Sequence, residues 1–342
     1  MTYLWAHKST GKGHKIGLAA VAGATSLLLA ACGSGSDDGE AASGGAPTSG
    51  DPNEIQATEI TGTMYENAIS AQYFLAKPAA EEYGLTLEST WETDGAAGMS
   101  QLVAGDIDLL QAAPARIADA AKQGIEVMIV AGDYTSAPDF TTLQVLPDSG
   151  ITSIEQLIGK TVGLPSTVGI QANRLRASLT AEGLDPNEVT FVQVPFGDAP
   201  ASLQQGNVDA VASQGAITEQ LQGIGASTLF DFGGGDYEGR VENVWAVTRE
   251  YQSENPGTVA AFQCAIVKGG EEANVRANAE GYFRDTLGWT DETIANTASV
   301  PSVTGPIDVA SIQQDYDDLV TIGVEDQEFD MGSILLPMPE NC

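Results

Sequence analysis

The sequence predicts an α/β protein of two lobes, and three observations carry that prediction. Short β-rich runs alternate with longer helical patterns, as in IEQLIGKTVGLPSTVGIQANRLRASLTAEGL followed by VTFVQVPFG, which is the rhythm of parallel strands joined by crossover helices. An internal echo repeats the unit: SQLVAGDIDLL from Ser100 and ASLQQGNVDAV from Ala201 share a helix end, a glycine and an Ile/Val-Asp strand start. Gly105 and Gly206 stand 101 residues apart, as do Asp108 and Asp209. The length of 342 residues exceeds what one core of ordinary size organises.

At the N-terminus, Lys8, Lys12 and Lys15 precede an apolar segment from Ile16 to Ala31 that is too short and too rich in small residues for a membrane span. This reads as a removable signal. Leu29-Ala30-Ala31-Cys32 resembles the lipobox of bacterial lipoproteins, in which the cysteine becomes the first residue and carries the lipid. From Gly33 to about Ala57 large apolar side chains are nearly absent, so a flexible tether is expected.

Within the body, TSIE at Thr152 to Glu155 fits a capping box opening a short helix that ends at Gly159. TVGLP is the next strand, and Ser166-Thr167 is expected to cap the helix after it. In the echo, glycine supplies a left-handed helix stop and aspartate opens the following strand. Two extended stretches, TTLQVLP near Thr141 and ENVWAVTRE near Glu242, are the candidate hinge, and beyond the second the pattern turns mainly helical, as if returning to cover the first lobe. The resulting division is 1–31 signal peptide, 32–57 tether, 58–142 with 246–342 first lobe, and 143–245 second lobe with hinge strands at its borders.

Composition removes several function classes. All 47 acidic residues follow Cys32 while three of the 14 basic ones precede it, so the processed chain carries a charge of −36. Eleven scattered cations with no basic stripe argue against nucleic acid, and equally against an electrostatic grip on anionic lipid. Both histidines, His7 and His14, lie in the signal, so the processed chain has neither a Ser-His or Cys-His pair nor a histidine-ligated metal. No cofactor or metal is expected. Cys264 and Cys342 are an even pair in an oxidising location, admitting a disulfide that ties the C-terminus to a helix, with two free thiols as the alternative. GKT at Gly159 to Thr161 is not a phosphate loop, because Ile154 stands at the required first glycine and the order is helix then strand. DFG at Asp231 has no kinase company, and DFGGGDYEG lacks the ligand spacing of a calcium loop.

The lipobox and tether together with LVAGDIDLLQAAP, DSGITSIEQLIGKTVGLPSTVG, FGDAPASLQQGNVDAV and VENVWAVTREYQSENPGTVAAF resemble the solute-binding lipoproteins of ABC importers, in the nitrate, sulfonate and taurine branch that also includes binders of thiamine precursors. The resemblance spans nearly all of Glu59 to Phe262, and its most specific piece is S-I-x-x-L-x-G-K-x-V from Ser153 to Val162. It implies a periplasmic-binding-protein-like fold of type II: two parallel-rich sheets with helices, two crossing strands as a hinge, and closure over a small molecule handed to a permease with its ATPase. A monomer outside the cytoplasm, held to the membrane through Cys32, is the corresponding expectation.

In such sheets the strand ends deliver helix N-termini to one crevice, where unpaired N–H donors hold anions without a basic side chain. By that logic the cleft residues are Tyr65, Glu66 and Asn67; Thr93, Asp94 and Gly95; Ala113 and Pro114; Ser166 and Thr167; Phe196, Gly197 and Asp198; Ser213 and Gln214. Ser166 and Thr167 rank first, since a capped helix start is also an anion site; helix capping alone is their plainer reading. Core or rim packing is the plainer reading of Tyr65 and Phe196. Glu66 and Asp94 pull toward an amine or aminopyrimidine, with exposed helix capping as the alternative. Arg116 and Arg174 are possible anion partners that equally well face solvent. The leading expectation is a receptor for a sulfonate, taurine or nitrate, ahead of a nitrogen heterocycle or amine. An enzyme using Glu66 or Asp94 as acid/base, and a ligand-free surface lipoprotein, are the competing classes.

Overall fold

A computed structural model describes residues 48–92, 95–295, 297 and 300–342. The signal, Cys32 and the tether as far as residue 47 lie outside the described residues, as do Thr93 and Asp94. Ten strands form two five-stranded sheets, and eleven α-helices accompany them among the described residues.

The first sheet is built from β1 (Glu59–Tyr65), β2 (Thr86–Glu92), β3 (Leu109–Ala112) and β4 (Val127–Gly132), joined by α1 (Ala71–Glu82), α2 (Gly95–Ala104) and α3 (Pro114–Lys122). The second takes β5 (Thr141–Val145), β6 (Thr161–Leu164), β7 (Thr190–Gln193), β8 (Ala210–Gln214) and β9 (Ser227–Asp231), with α4 (Ile170–Ala181), α5 (Ala199–Gln204) and α6 (Gly215–Gly223) between them. β10 (Val244–Thr248) then re-enters the first sheet, followed by α7 (Arg249–Glu254), α8 (Pro256–Ala273), α9 (Arg276–Asp285), α10 (Asp291–Ala295) and α11 (Val309–Thr321).

Strand order is β2-β1-β3-β10-β4 in one sheet and β7-β6-β8-β5-β9 in the other. β1 pairs in parallel with β2 and β3, and β6 with β7 and β8. The fourth place in each sheet is held by an antiparallel strand, β10 or β5, and each of these carries a register shift, at Trp245/Ala246 and Leu143/Gln144. The stretches expected to be the crossings are thus core strands. The chain crosses just before each of them, over residues 133–140 and 232–243. Their alternating apolar residues explain why: Leu143, Val145, Val244 and Trp245 are at most 2 % exposed, which a bare connection between lobes does not provide.

The sequence echo is structural. Gly105 and Gly206 both adopt positive φ, 75° and 70°, ending α2 and α5. Asp108 and Asp209 each accept the backbone N–H of a first-strand residue, Thr61 or Thr161, at 2.8 Å. The capping box is present but one residue later than expected, with Ser153 as cap and Gln156 answering it, over a 3-10 turn at Ile154–Leu157.

Tyr73, Met128, Trp245 and Phe262 centre the first core, where α8 packs along α1. Leu143, Leu164, Leu175 and Phe232 centre the second. Cys264, buried in α8, is joined by a disulfide to Cys342. Residues 48–57 are not tether. Ser49 bonds Gln263, the Gln56 and Ala57 N–H groups both reach the Thr258 hydroxyl, and Gln56 Oε1 accepts from the Gly257 N–H. Polar side chains on α8 satisfy much of this backbone while Ile55 packs against the first core, and so few apolar residues are why composition alone reads the segment as loose.

Candidate functional site

The two crossing segments pair with one another. The Asp133 N–H donates to the Asn243 carbonyl at 2.9 Å, Glu242 to Tyr134 at 3.0 Å, and Ser136 to Arg240 at 2.8 Å. Side chains from both lobes converge on this ladder. Arg174, on α4, is 4 % exposed. It donates to Glu242 Oε1 and the Phe232 carbonyl, both at 2.7 Å, to Ser136 Oγ at 2.9 Å and to Asp315 Oδ2 at 3.4 Å. Arg240 donates to Asp315 Oδ1 and Asp318 Oδ2, both at 2.7 Å. The Tyr237 ring lies between the guanidiniums, 4.8 Å from that of Arg174 and 4.6 Å from that of Arg240. Arg174 is therefore a hinge residue and neither solvent-facing nor a free anion partner.

Beside this cluster lie two cavities that share Glu242. The larger, about 630 Å³, takes Asn67 and Ile69 from the 3-10 turn that precedes α1, Phe196, Gln171, and Gln214 to Ile217 from the second lobe, and Tyr134, Phe140 and Glu242 from the crossings. Trp289, Glu292 and Thr293 close it from the α9–α10 region. The smaller, about 550 Å³, lies between Ala113 to Arg116 and α11 on one side and Val168 to Ile170 with Asn173 and Arg174 on the other. Each is a cleft between the two sheets, of a size that encloses a small molecule.

Of the residues chosen from sequence, Asn67, Phe196 and Gln214 line the larger cavity and Ala113 and Pro114 the smaller. Asn67 Oδ1 caps its helix by accepting the Ile69 N–H at 3.0 Å, and Gln214 Nε2 donates to Thr141 Oγ1 at 2.7 Å. Tyr65, Glu66, Gly197, Asp198 and Ser213 line neither; Glu66 is exposed, and Ser213 is buried with its hydroxyl 2.8 Å from that of Thr218. Ser166 and Thr167 also line neither, and they do not cap α4, whose cap is Gly169. The loop after β6 is longer than its sequence suggests, and Ser166 Oγ instead accepts the Val168 N–H within that loop.

Sequence reasoning missed Tyr134, Phe140, Glu242, Trp289 and Glu292. Tyr134 and Phe140 belong to a crossing placed a few residues too late, Glu242 stood in an expected crossing without being taken as a site residue, and Trp289 and Glu292 come from a helical region distant in sequence. Tyr134 hydrogen-bonds Glu242, and burial together with that carboxylate pushes its phenol well above the usual range, so it stays neutral. Deeper, Asp133 is fully buried; its Oδ2 accepts Gln111 Nε2 at 2.7 Å, while Gln111 Oε1 accepts the Tyr65 N–H at 3.1 Å. Burial pushes its carboxyl up to about 8, against the opposing hydrogen bond from Gln111. Among the described residues no group of His, Cys, Asp and Glu is arranged to hold a metal, and no helix is long and apolar enough to cross a membrane.

Residues 80–285 match a family model described as NMT1/THI5 like. No curated protein matches the sequence. Among solved structures, the aliphatic sulphonate binding protein SsuA of Escherichia coli is similar with a TM-score of 0.66 at 19% identity, covering 84% of this chain and 95% of that one. The alkanesulfonate-binding SsuA of Xanthomonas axonopodis pv. citri, bound to MOPS, gives 0.62 at 17% identity over 82% and 99%. The nitrate-binding protein NrtA of Synechocystis PCC 6803 gives 0.63 at 12% identity over 82% and 85%. At these identities the likeness establishes the fold, that of the periplasmic binding proteins, and leaves chemistry to the cleft.

Proposed function

The chain belongs to the NMT1/THI5-like family, and from that premise we propose that it is the solute receptor of an ABC import system, anchored outside the cytoplasm through a lipidated Cys32. The observation that carries this reading is the cleft itself: both cavities take residues from both lobes, and among the described residues the chain crosses between the sheets at two adjoining segments. Contacts from both lobes to one solute form only when the lobes close, and that difference in affinity between open and closed forms drives the closure. A permease and its ATPase are the partners this implies, and a monomer is the expected state. The names of the similar structures make sulfonates and nitrate the first solutes to try.

The competing carboxylate enzyme named Glu66 or Asp94 as its acid/base; exposed Glu66 lines neither cavity, and Asp94 lies outside the described residues. Small-angle scattering on the purified chain tests the receptor reading. A solute that raises the melting temperature is expected also to reduce the radius of gyration. Stabilisation without compaction, for every stabilising solute, would sink the closure mechanism; turnover of the bound solute seen by mass spectrometry would revive the enzyme.

A further inference from the structure

We infer that the larger cavity is built for an organic cation, such as a substituted ammonium or amidinium, rather than for an oxyanion; the inference rests on the receptor reading above. Among the described residues its lining contains two carboxylates, Glu242 and Glu292, and no lysine or arginine. Its walls carry four aromatic rings, Tyr134, Phe140, Phe196 and Trp289, drawn from the crossings, the second lobe and the α9–α10 region. Ring faces attract cations through their quadrupole, and the attraction grows when water is excluded. Tyr134 contributes as a neutral ring, since burial beside Glu242 keeps its hydroxyl protonated.

The cation paired with Glu242 is already committed. Both terminal nitrogens of Arg174 are engaged, and Arg174 and Arg240 together face Glu242, Asp315 and Asp318. Two guanidiniums against three carboxylates leave this cluster with a surplus negative charge, to which Glu292 of the cavity lining adds its own. An anion would rely on helix starts, each worth about half an elementary charge. One backbone N–H on this wall is occupied, that of Ile69 held by Asn67, while the start of α6 at Gly215 carries no side-chain cap. Whole carboxylate charges outweigh what remains, and a screening length of about 8 Å at physiological salt does not weaken groups lining one cavity.

Titration calorimetry on the purified full chain with three isosteres tests this: choline, its neutral analogue 3,3-dimethyl-1-butanol, and the anion isethionate. Choline is expected to bind about tenfold or more tightly than the neutral analogue, and isethionate not at all. In parallel, a small-molecule cell extract is separated by ion exchange into cationic, neutral and anionic pools, each scored by thermal shift. Stabilisation by choline or by the cationic pool supports the inference. Stabilisation only by the anionic or neutral pool, or by isethionate, overturns it and leaves the receptor reading standing. No stabilisation by any pool overturns both. Glu292→Gln, at an exposed position, is expected to weaken the cationic response about threefold to tenfold, with Phe196→Leu as a second probe; cation affinity unchanged in both places the cation elsewhere and defeats the assignment.

Discussion

Arg174 and Glu242 form an ion pair of 2.7 Å in which the side chains are only 5% and 9% exposed. The pair joins a helix of the second lobe to the segment on which the chain returns to the first, and Asp315 of α11 extends it to the far side. Arg174→Met leaves Glu242 buried without its counter-charge, so a loss of about 3 to 5 kcal/mol is expected in chemical denaturation. Adding Glu242→Gln to that variant should restore part of it, because the cost lies in the stranded charge. A double variant no more stable than the single one would show that packing, not charge, is what Arg174 supplies.

Asp133 gives a pH prediction. Its carboxyl titrates near 8 in the folded protein and near the ordinary 3.8 when unfolded, so between those values the folded state holds a proton that the unfolded chain has released. Its stabilising contribution is complete below about pH 4 and is lost as pH rises toward 8. Asp133→Asn keeps an acceptor for Gln111 and removes the titration. Urea midpoints of the two proteins at pH 5, 6.5 and 8 should separate in favour of the variant as pH rises; a constant offset would contradict the buried-carboxyl assignment.

Asp108 and Asp209 occupy equivalent stations in the two sheets. Asp108→Ala and Asp209→Ala should each cost about 1 to 3 kcal/mol, the loss expected for a backbone N–H deprived of a charged acceptor. Because the sites lie in separate sheets, the double variant should be additive to within about 0.5 kcal/mol. Strong non-additivity would mean that the two lobes do not respond as independent units.

Gly257 touches the residues before β1. A β-carbon there would lie 2.0 Å from the Glu54 carbonyl oxygen and 2.8 Å from that of Asp51. Gly257→Ala is therefore expected to lift residues 48–57 from α8, raising their amide exchange while the β-strand cores stay protected. Unchanged exchange in that segment would argue that its docking does not depend on this close approach.

How much of this was legible follows from how local each signal is. The echo around Gly105 and Gly206 was readable because a helix stop and a strand start are short-range events with fixed residue types. The crossings were displaced by a few residues because TTLQV and VWAVT look extended wherever they lie, and only pairing reveals that each completes a sheet. Ser166 and Thr167 failed because a hydroxyl pair before a helix does not report the length of the loop between them. Arg174 was ambiguous because an arginine on a helix usually faces water, and its burial depends on carboxylates far away in sequence. Trp289 and Glu292 reach the larger cavity only through the packing of the C-terminal helices, and no local pattern encodes that.

The place of β10 also sets an order of events. Every strand of the second sheet has been synthesised once Asp231 is made, whereas the first sheet lacks its fourth member until Thr248. A chain growing from its N-terminus therefore holds β1 to β4 unfinished, with β3 and β4 separated by an empty lane, while the later-made lobe already has all its strands. The earliest strands are the last to be completed, and α8 with the bond from Cys264 to Cys342 covers them later still. Assembly runs opposite to the direction of the chain, so a truncation that spares the second lobe still leaves the first one open.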